Sequence, residues 1–348
     1  MLKSRAKAAL FFSNGACAGV SPAARIKERA GWIRLKENKV HIGGQAVIEG
    51  VMMRNRSKIA IAVRQPNGGI AVEKKDFFSF GERFPILKWP VLRGMVAFVE
   101  ALVLGVTSIS ASAEHALEDE EELKGWELPL TVAVSLVFGV GLFILLPTVL
   151  MSWLRQSGGP PLLLNLGEGA IRLAIFLSYI FLISRWQEVG RVFQYHGAEH
   201  KAIACYEAGL PLTVDNTRPY SPLHRRCGTS FLLIVMVTSI LLFSFFGWPG
   251  IWQRILIRLS LLPLVAGLSY EAIKFAGARD NLFTRIISQP GLWLQRMTTR
   301  KPADDQIEVA IYALQAVLQG EEMPGEGTAP LVAVDSQQDV FAQAEEKP

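Results

Sequence analysis

Hydrophobic positions fall into two regimes along the chain. In residues 39–80 the apolar runs are short. Ile59-Ala60-Ile61-Ala62-Val63 and Ile70-Ala71-Val72 flank Pro66-Asn67-Gly68-Gly69, a pattern that predicts a β-hairpin, and residues 47–51 offer a further strand. A sheet this small needs a partner surface, which the following helices can provide. Downstream, residues 128–153, 169–183, 229–248 and 255–275 approach the roughly 20 apolar residues that cross hydrocarbon. A fifth apolar stretch, 86–109, contains Arg93 and Glu100 and precedes the acidic run 118–122. Five spans would put the termini on opposite sides of the bilayer and strand a basic segment outside, so this stretch is read as an interfacial or partly inserted helix. The expected fold is mainly α: a polytopic membrane protein of about four transmembrane helices plus an interfacial helix, with a small N-terminal β element.

Composition agrees, since 50% of the 348 residues are hydrophobic and only 19% are charged. The net charge of +5 matters less than its distribution. Residues 185–228 carry Arg185, Arg191, Lys201, Arg218, Arg225 and Arg226, and the segment after the last span carries Lys274, Arg279, Arg285, Arg296, Arg300 and Lys301. Both segments are expected in the cytoplasm, with both termini inside a multi-pass protein of the cell membrane, although Arg254 and Arg258 lie against the trend. Residues 1–37 form a basic extension whose apolar run, 8–12, is too short for a signal peptide. The sequence then divides into a hairpin-containing element (38–82), a helical membrane domain (83–301), an amphipathic helix (302–319) and a tail (320–348) too poor in large apolar residues to fold. Within the membrane domain, residues 185–208 can extend a helix out of the preceding span until Gly209 and Pro211 stop it. Cys17, Cys205 and Cys227 make no even framework, so disulfides are not expected.

Candidate chemistry concentrates at His196-Gly197-Ala198-Glu199-His200, an H-x-x-E-H string. Residues four apart share a helix face, so His196 and His200 can offer two imidazoles to one divalent ion, zinc foremost, with Glu199 beside them as base. A catalytic zinc site needs a third protein ligand and an open position, and Glu271, near the cytoplasmic end of the last span, is the first choice. Glu271 can instead simply pair with Lys274 or Arg258. His224 and Cys227 form a second candidate pair; if both joined His196 and His200, four donors would close the shell and make the metal structural. The bland alternative makes Cys227 a small buried residue at a membrane edge marked by His224, Arg225 and Arg226. The run Gly43-Gly44-Gln45-Ala46-Val47-Ile48-Glu49-Gly50-Val51-Met52-Met53-Arg54 reads foremost as tight turns in the sheet, with Gln45, Glu49 and Arg54 as possible contacts to the site. No phosphate loop or dinucleotide fingerprint occurs, and no nucleic-acid partner is expected.

Three separated motifs, the run at 43–54, Tyr195-His196-Gly197-Ala198-Glu199-His200-Lys201, and His224-Arg225-Arg226-Cys227-Gly228-Thr229-Ser230-Phe231, resemble a bacterial membrane family numbered 1385 among domains of unknown function. The resemblance covers about residues 38–301. It implies a membrane location and a predicted metal-dependent enzyme, without a substrate. H-x-x-E-H is also similar to the inverted zinc-peptidase motif, an analogy of site and not of fold. Together these readings lead to a zinc-type hydrolase acting on a lipid or membrane-associated peptide at the cytoplasmic face. The rival is a non-catalytic scaffold or assembly factor with a structural metal, and a transporter, prompted by Arg172 and Glu271, ranks third.

Overall fold

The computed structural model describes residues 42–116, 126–154, 159–224, 227–277, 282–319 and 333–334. The extension at 1–37, the acidic run 118–122, Arg225, Arg226 and most of the tail lie outside them. Strands β1 (Ile42–Val47), β2 (Gly50–Asn55), β3 (Lys58–Arg64) and β4 (Ile70–Asp76) form an antiparallel meander, and β5 (Ala333–Val334), inside the predicted tail, pairs in parallel with β4. The predicted hairpin is β3–β4. The strand expected at 47–51 is instead the end of β1, a turn at Ile48-Glu49 and the start of β2, with Glu49 at φ +49°. A glutamate in the left-handed region is uncommon, so nothing in the residue types announced that turn.

β3 is buried on both faces because both faces are covered. Ala60 and Ala62 join Val51, Met53 and Val72 against helices α5 (Gln187–Glu207) and α9 (Asp304–Leu318), contacting Tyr195, Ala198, Ile307 and Leu314. Ile59, Ile61 and Val63 face the other way with Val47 and Met52, onto Leu104 and Ala111 of α1 (Leu92–Ala116). The small sheet is thus the middle of three layers, and α9 is far more buried than a surface amphipathic helix.

Five helices are long and apolar enough to cross a membrane, α1 among them. α1 is nonetheless committed to the sheet: Ser112 accepts from the Ile48 N–H at 3.1 Å, and Gly105 packs beside Gln45. Val99, Leu102 and Val106 of this helix are exposed. The other four apolar spans follow in chain order. The first is α2 (Glu127–Val140) joined by a π turn at Gly141–Leu145 to α3 (Leu146–Leu154). Then come α4 (Pro161–Ile183), α6 (Thr229–Phe243) and α7 (Ile251–Gly277). α4 begins earlier than its apolar run because Asn165 and Glu168 are buried inside the bundle and not exposed to lipid. The helix expected to continue out of α4 breaks at Ser184: α5 is separate, capped at Trp186 in an extended conformation, and Gly209 ends it at φ +68°. α8 (Leu282–Thr298) packs on α6 and leads to the site.

Candidate metal centre

α5 carries the H-x-x-E-H string with its central residues buried between the sheet, α9 and the 222–230 segment. His196, His200 and Cys227 each place one donor atom within 4.8 Å of the others, and His196 Nε2 is 3.2 Å from Cys227 Sγ. Each imidazole is anchored through its other nitrogen: His196 Nδ1 lies 2.8 Å from the Thr298 carbonyl and His200 Nδ1 2.5 Å from the Pro222 carbonyl. A backbone carbonyl accepting from Nδ1–H fixes the tautomer that leaves Nε2 as a lone-pair donor, the arrangement seen around metal-binding histidines. His200 Nε2 is buried with no hydrogen-bond partner among the described residues.

The glycine of the string has a physical reason. A Cβ on Gly197 would stand 2.1 Å from the Arg300 carbonyl oxygen, so only glycine lets residues 298–300 lie against α5, where the Arg300 N–H donates to the Phe193 carbonyl at 2.9 Å. Gly44 plays the same part from the sheet: a Cβ there would meet the Glu199 carboxyl at 2.8 Å. The Gly-Gly-Gln run therefore does touch the site, but through Gly44. Gln45 lies beside α1, and Glu49 receives the Arg191 guanidinium and the Tyr195 hydroxyl, which ties the β1–β2 turn to α5. Arg54 stacks on Phe77 and sits 3.9 Å from Glu100.

Burial dominates the electrostatics. It pushes the Glu199 carboxyl up to about 8. It also pulls His200 down to about 3, helped by the neighbouring His196. Burial lowers His196 and His224 too. The Cys227 thiol rises to about 11, from burial first and then from the nearby Glu199 charge. The imidazoles are thus held neutral, the donor form.

Of the other candidate ligands, Glu271 is elsewhere. Arg93 donates to it from Nε and Nη2 at 2.6 and 2.5 Å, and the Val91 N–H adds a contact, so among the described residues its hydrogen-bonding side-chain partner is Arg93 and not the histidines. His224 is adjacent, its ring 5.7 Å from that of His200, but its Nε2 is 3.6 Å from Glu207. The residue that sequence reasoning missed is Gln295, fully buried on α8. Its side chain accepts from the His224 N–H at 2.9 Å and donates to the His224 carbonyl at 2.8 Å, which fixes the loop that carries Cys227. A lone glutamine at the end of an amphipathic stretch gave no signal of this.

An α-helical bundle of membrane-crossing segments, with a compact sheet and a buried His/Cys cluster at one end, defines the class: a polytopic membrane protein. The chain belongs to the family described as "Protein of unknown function (DUF1385)", whose model matches residues 89–320. It is 35% identical over 312 residues to the "Uncharacterized protein YqhQ" of Bacillus subtilis (strain 168), a match covering 83% of this chain and 95% of that protein. No solved structure matches.

Proposed function

We propose that this protein is a metal-dependent hydrolase, with zinc the foremost ion, acting on a lipid or membrane-associated peptide at the cytoplasmic face of the cell membrane. The observation that carries the reading is His200 Nε2, buried beside His196 and Cys227 with no hydrogen-bond partner among the described residues. An orphaned buried nitrogen costs about 1–3 kcal/mol, which a bound cation would remove. The donor set fits: two neutral imidazoles and a cysteine whose thiol a bound cation would deprotonate suit zinc, and tetrahedral bonds of ordinary length put N and S about 3.5 Å apart, a small adjustment from the 3.2 Å between His196 and Cys227. Three protein ligands leave one position open.

A divalent ion there would supply a Lewis acid for a scissile carbonyl or phosphoryl oxygen and acidify a water. Glu199, the residue before His200, would be the base: burial alone holds its carboxyl protonated, and the charge of a bound cation would favour the ionised form that could take a proton from water and pass it to the leaving group. His196, His200 and Cys227 hold the centre, Gly44 and Gly197 set the distances, and the short gap from α4 to α5 keeps the site at the membrane edge, where a bilayer-borne substrate can reach it. The basic residues of α5 and its following loop favour the cytoplasmic side. The test is Glu199→Gln in detergent-purified protein, assayed on phospholipid vesicles and on fluorogenic peptides. Metal content should persist and hydrolysis disappear; unchanged turnover removes the proposed base, and no hydrolysis by the wild type on either probe favours the scaffold.

A further inference from the structure

The last two turns of α4 carry a stripe that the bundle leaves open. Leu177, Ser178, Phe181 and Leu182 fall at helical spacing, and with Met297 of α8 they line a groove of about 450 Å³. That volume is in the range of clefts that hold small ligands, about 300–1,000 Å³. The groove exists because α8 packs along α6 and meets α4 only where Leu294 and Met297 reach Phe176 and Ile180, which leaves the flank of the junction unfilled. Leu177, Phe181 and Leu182 are exposed on a helix long and apolar enough to cross a membrane, so acyl chains are what cover them. Leu177 lies six residues before the end of α4 at Ile183, about 9 Å at the helical rise, so the groove sits where acyl chains give way to headgroups.

The residues just past the groove are cationic and aromatic. Arg185 is exposed, and its guanidinium carbon stands 5.5 Å from the centre of the Phe181 ring, so its charge lies over a residue of the groove itself. Arg300 donates to the Ser184 carbonyl and adds a second positive charge at the same end of α4. Among the described residues no carboxylate forms an ion pair with either: Glu188, one turn beyond Arg185, does not, and Glu49 is engaged by Arg191. Trp186 and Trp293 are exposed beside Arg185 and on α8, the residue type enriched at headgroup level. An apolar groove that ends under an unpaired guanidinium matches a chain joined to an anionic head.

We propose that the α4–α8 groove binds one anionic phospholipid, an acyl chain along Leu177, Phe181 and Met297 and the phosphate held by Arg185, with Arg300 adding charge behind it. Arginine meets phosphate oxygens with paired N–H···O bonds, and basic sites at the ends of transmembrane helices favour anionic headgroups over zwitterionic ones. The bound lipid fastens the end of α8 to α4, and the residue after Met297 is Thr298, whose carbonyl holds His196. The site is separate from the histidine cluster and stands whether or not that cluster holds metal.

The experiment uses the full chain in neutral detergent, stripped of lipid, and reads binding by native mass spectrometry and thermal unfolding. The probes are phosphatidylglycerol, phosphatidylcholine with the same chains, diacylglycerol and glycerol phosphate. Phosphatidylglycerol should bind one per chain and raise Tm, and phosphatidylcholine should bind at least about tenfold more weakly. Diacylglycerol, which lacks the phosphate, and glycerol phosphate, which lacks the chains, should do neither. Ser178→Phe fills the groove from an exposed position of α4, and Arg185→Gln removes the charge over Phe181. Each should weaken phosphatidylglycerol binding by about tenfold or more. Equal binding of phosphatidylcholine or diacylglycerol, binding of glycerol phosphate alone, or full phosphatidylglycerol affinity in a folded Ser178→Phe or Arg185→Gln protein would each overturn the proposal.

Discussion

Replacing Gly197 by alanine is the smallest change that should loosen the site from behind. The new methyl would start 2.1 Å from the Arg300 carbonyl oxygen, and ordinary contact begins at 3.4 Å, so the chain at residue 300 must retreat by about 1.3 Å, the difference of the two. That atom is backbone, so no side-chain rotation relieves it. The retreat breaks the Arg300–Phe193 backbone bond and carries the Thr298 carbonyl away from His196 Nδ1, now 2.8 Å distant. Overpacking costs about 1–3 kcal/mol and the lost hydrogen bond about 1 more. A total of roughly 2–4 kcal/mol corresponds to a Tm lower by about 3–7 °C for a chain of this size. Loss of the His196 anchor should also weaken zinc binding by about 10–100-fold, the usual effect of removing a partner behind a metal ligand. Differential scanning fluorimetry in detergent reads the first quantity and competition with a chromogenic chelator the second. A Gly197→Ala protein with unchanged Tm and unchanged zinc affinity would refute the claim that glycine at this position sets the His196 geometry.

Other substitutions separate the parts. Gly44→Ala should push Glu199 aside while leaving the three donors in place, so zinc content should persist while hydrolysis falls by about tenfold or more, the scale of a displaced general base, measured on the same vesicle and peptide probes. Gln295→Leu removes both hydrogen bonds to the His224 backbone and should cost about 2–4 kcal/mol, read as a lower Tm, and should raise the zinc dissociation constant through Cys227. Glu271→Gln should lower Tm slightly by weakening the solvent-screened Arg93 pair, yet leave metal content unchanged.

The apolar runs were legible because hydrocarbon imposes a length and a composition on anything that crosses it, and the β3–β4 hairpin was legible from its glycines. The β1–β2 turn was hidden because Glu49 adopts a left-handed conformation that glycine or asparagine would normally mark. The helix at Asp304–Leu318 could be read from periodicity, but not its burial, which depends on the sheet lying across it. At the site, helical spacing brought His196 and His200 into view, whereas the choice of companion turned on tertiary contacts: Arg93 claims Glu271, and Gln295 delivers the loop of Cys227. A half-buried carboxylate near a helix end draws a basic partner, and which of several arrives depends on packing between distant helices. Gly44 and Gly197 matter through what approaches them, which no local pattern encodes.

The most direct test of the metal centre is the elemental content of detergent-purified protein, wild type against His200→Ala and Cys227→Ala, with Glu271→Gln as the control. About one zinc per chain is expected in the wild type, the same in Glu271→Gln, and loss in both ligand variants. Metal-free wild type after purification in zinc-supplemented buffer, or full metal retained by His200→Ala and Cys227→Ala, would contradict it.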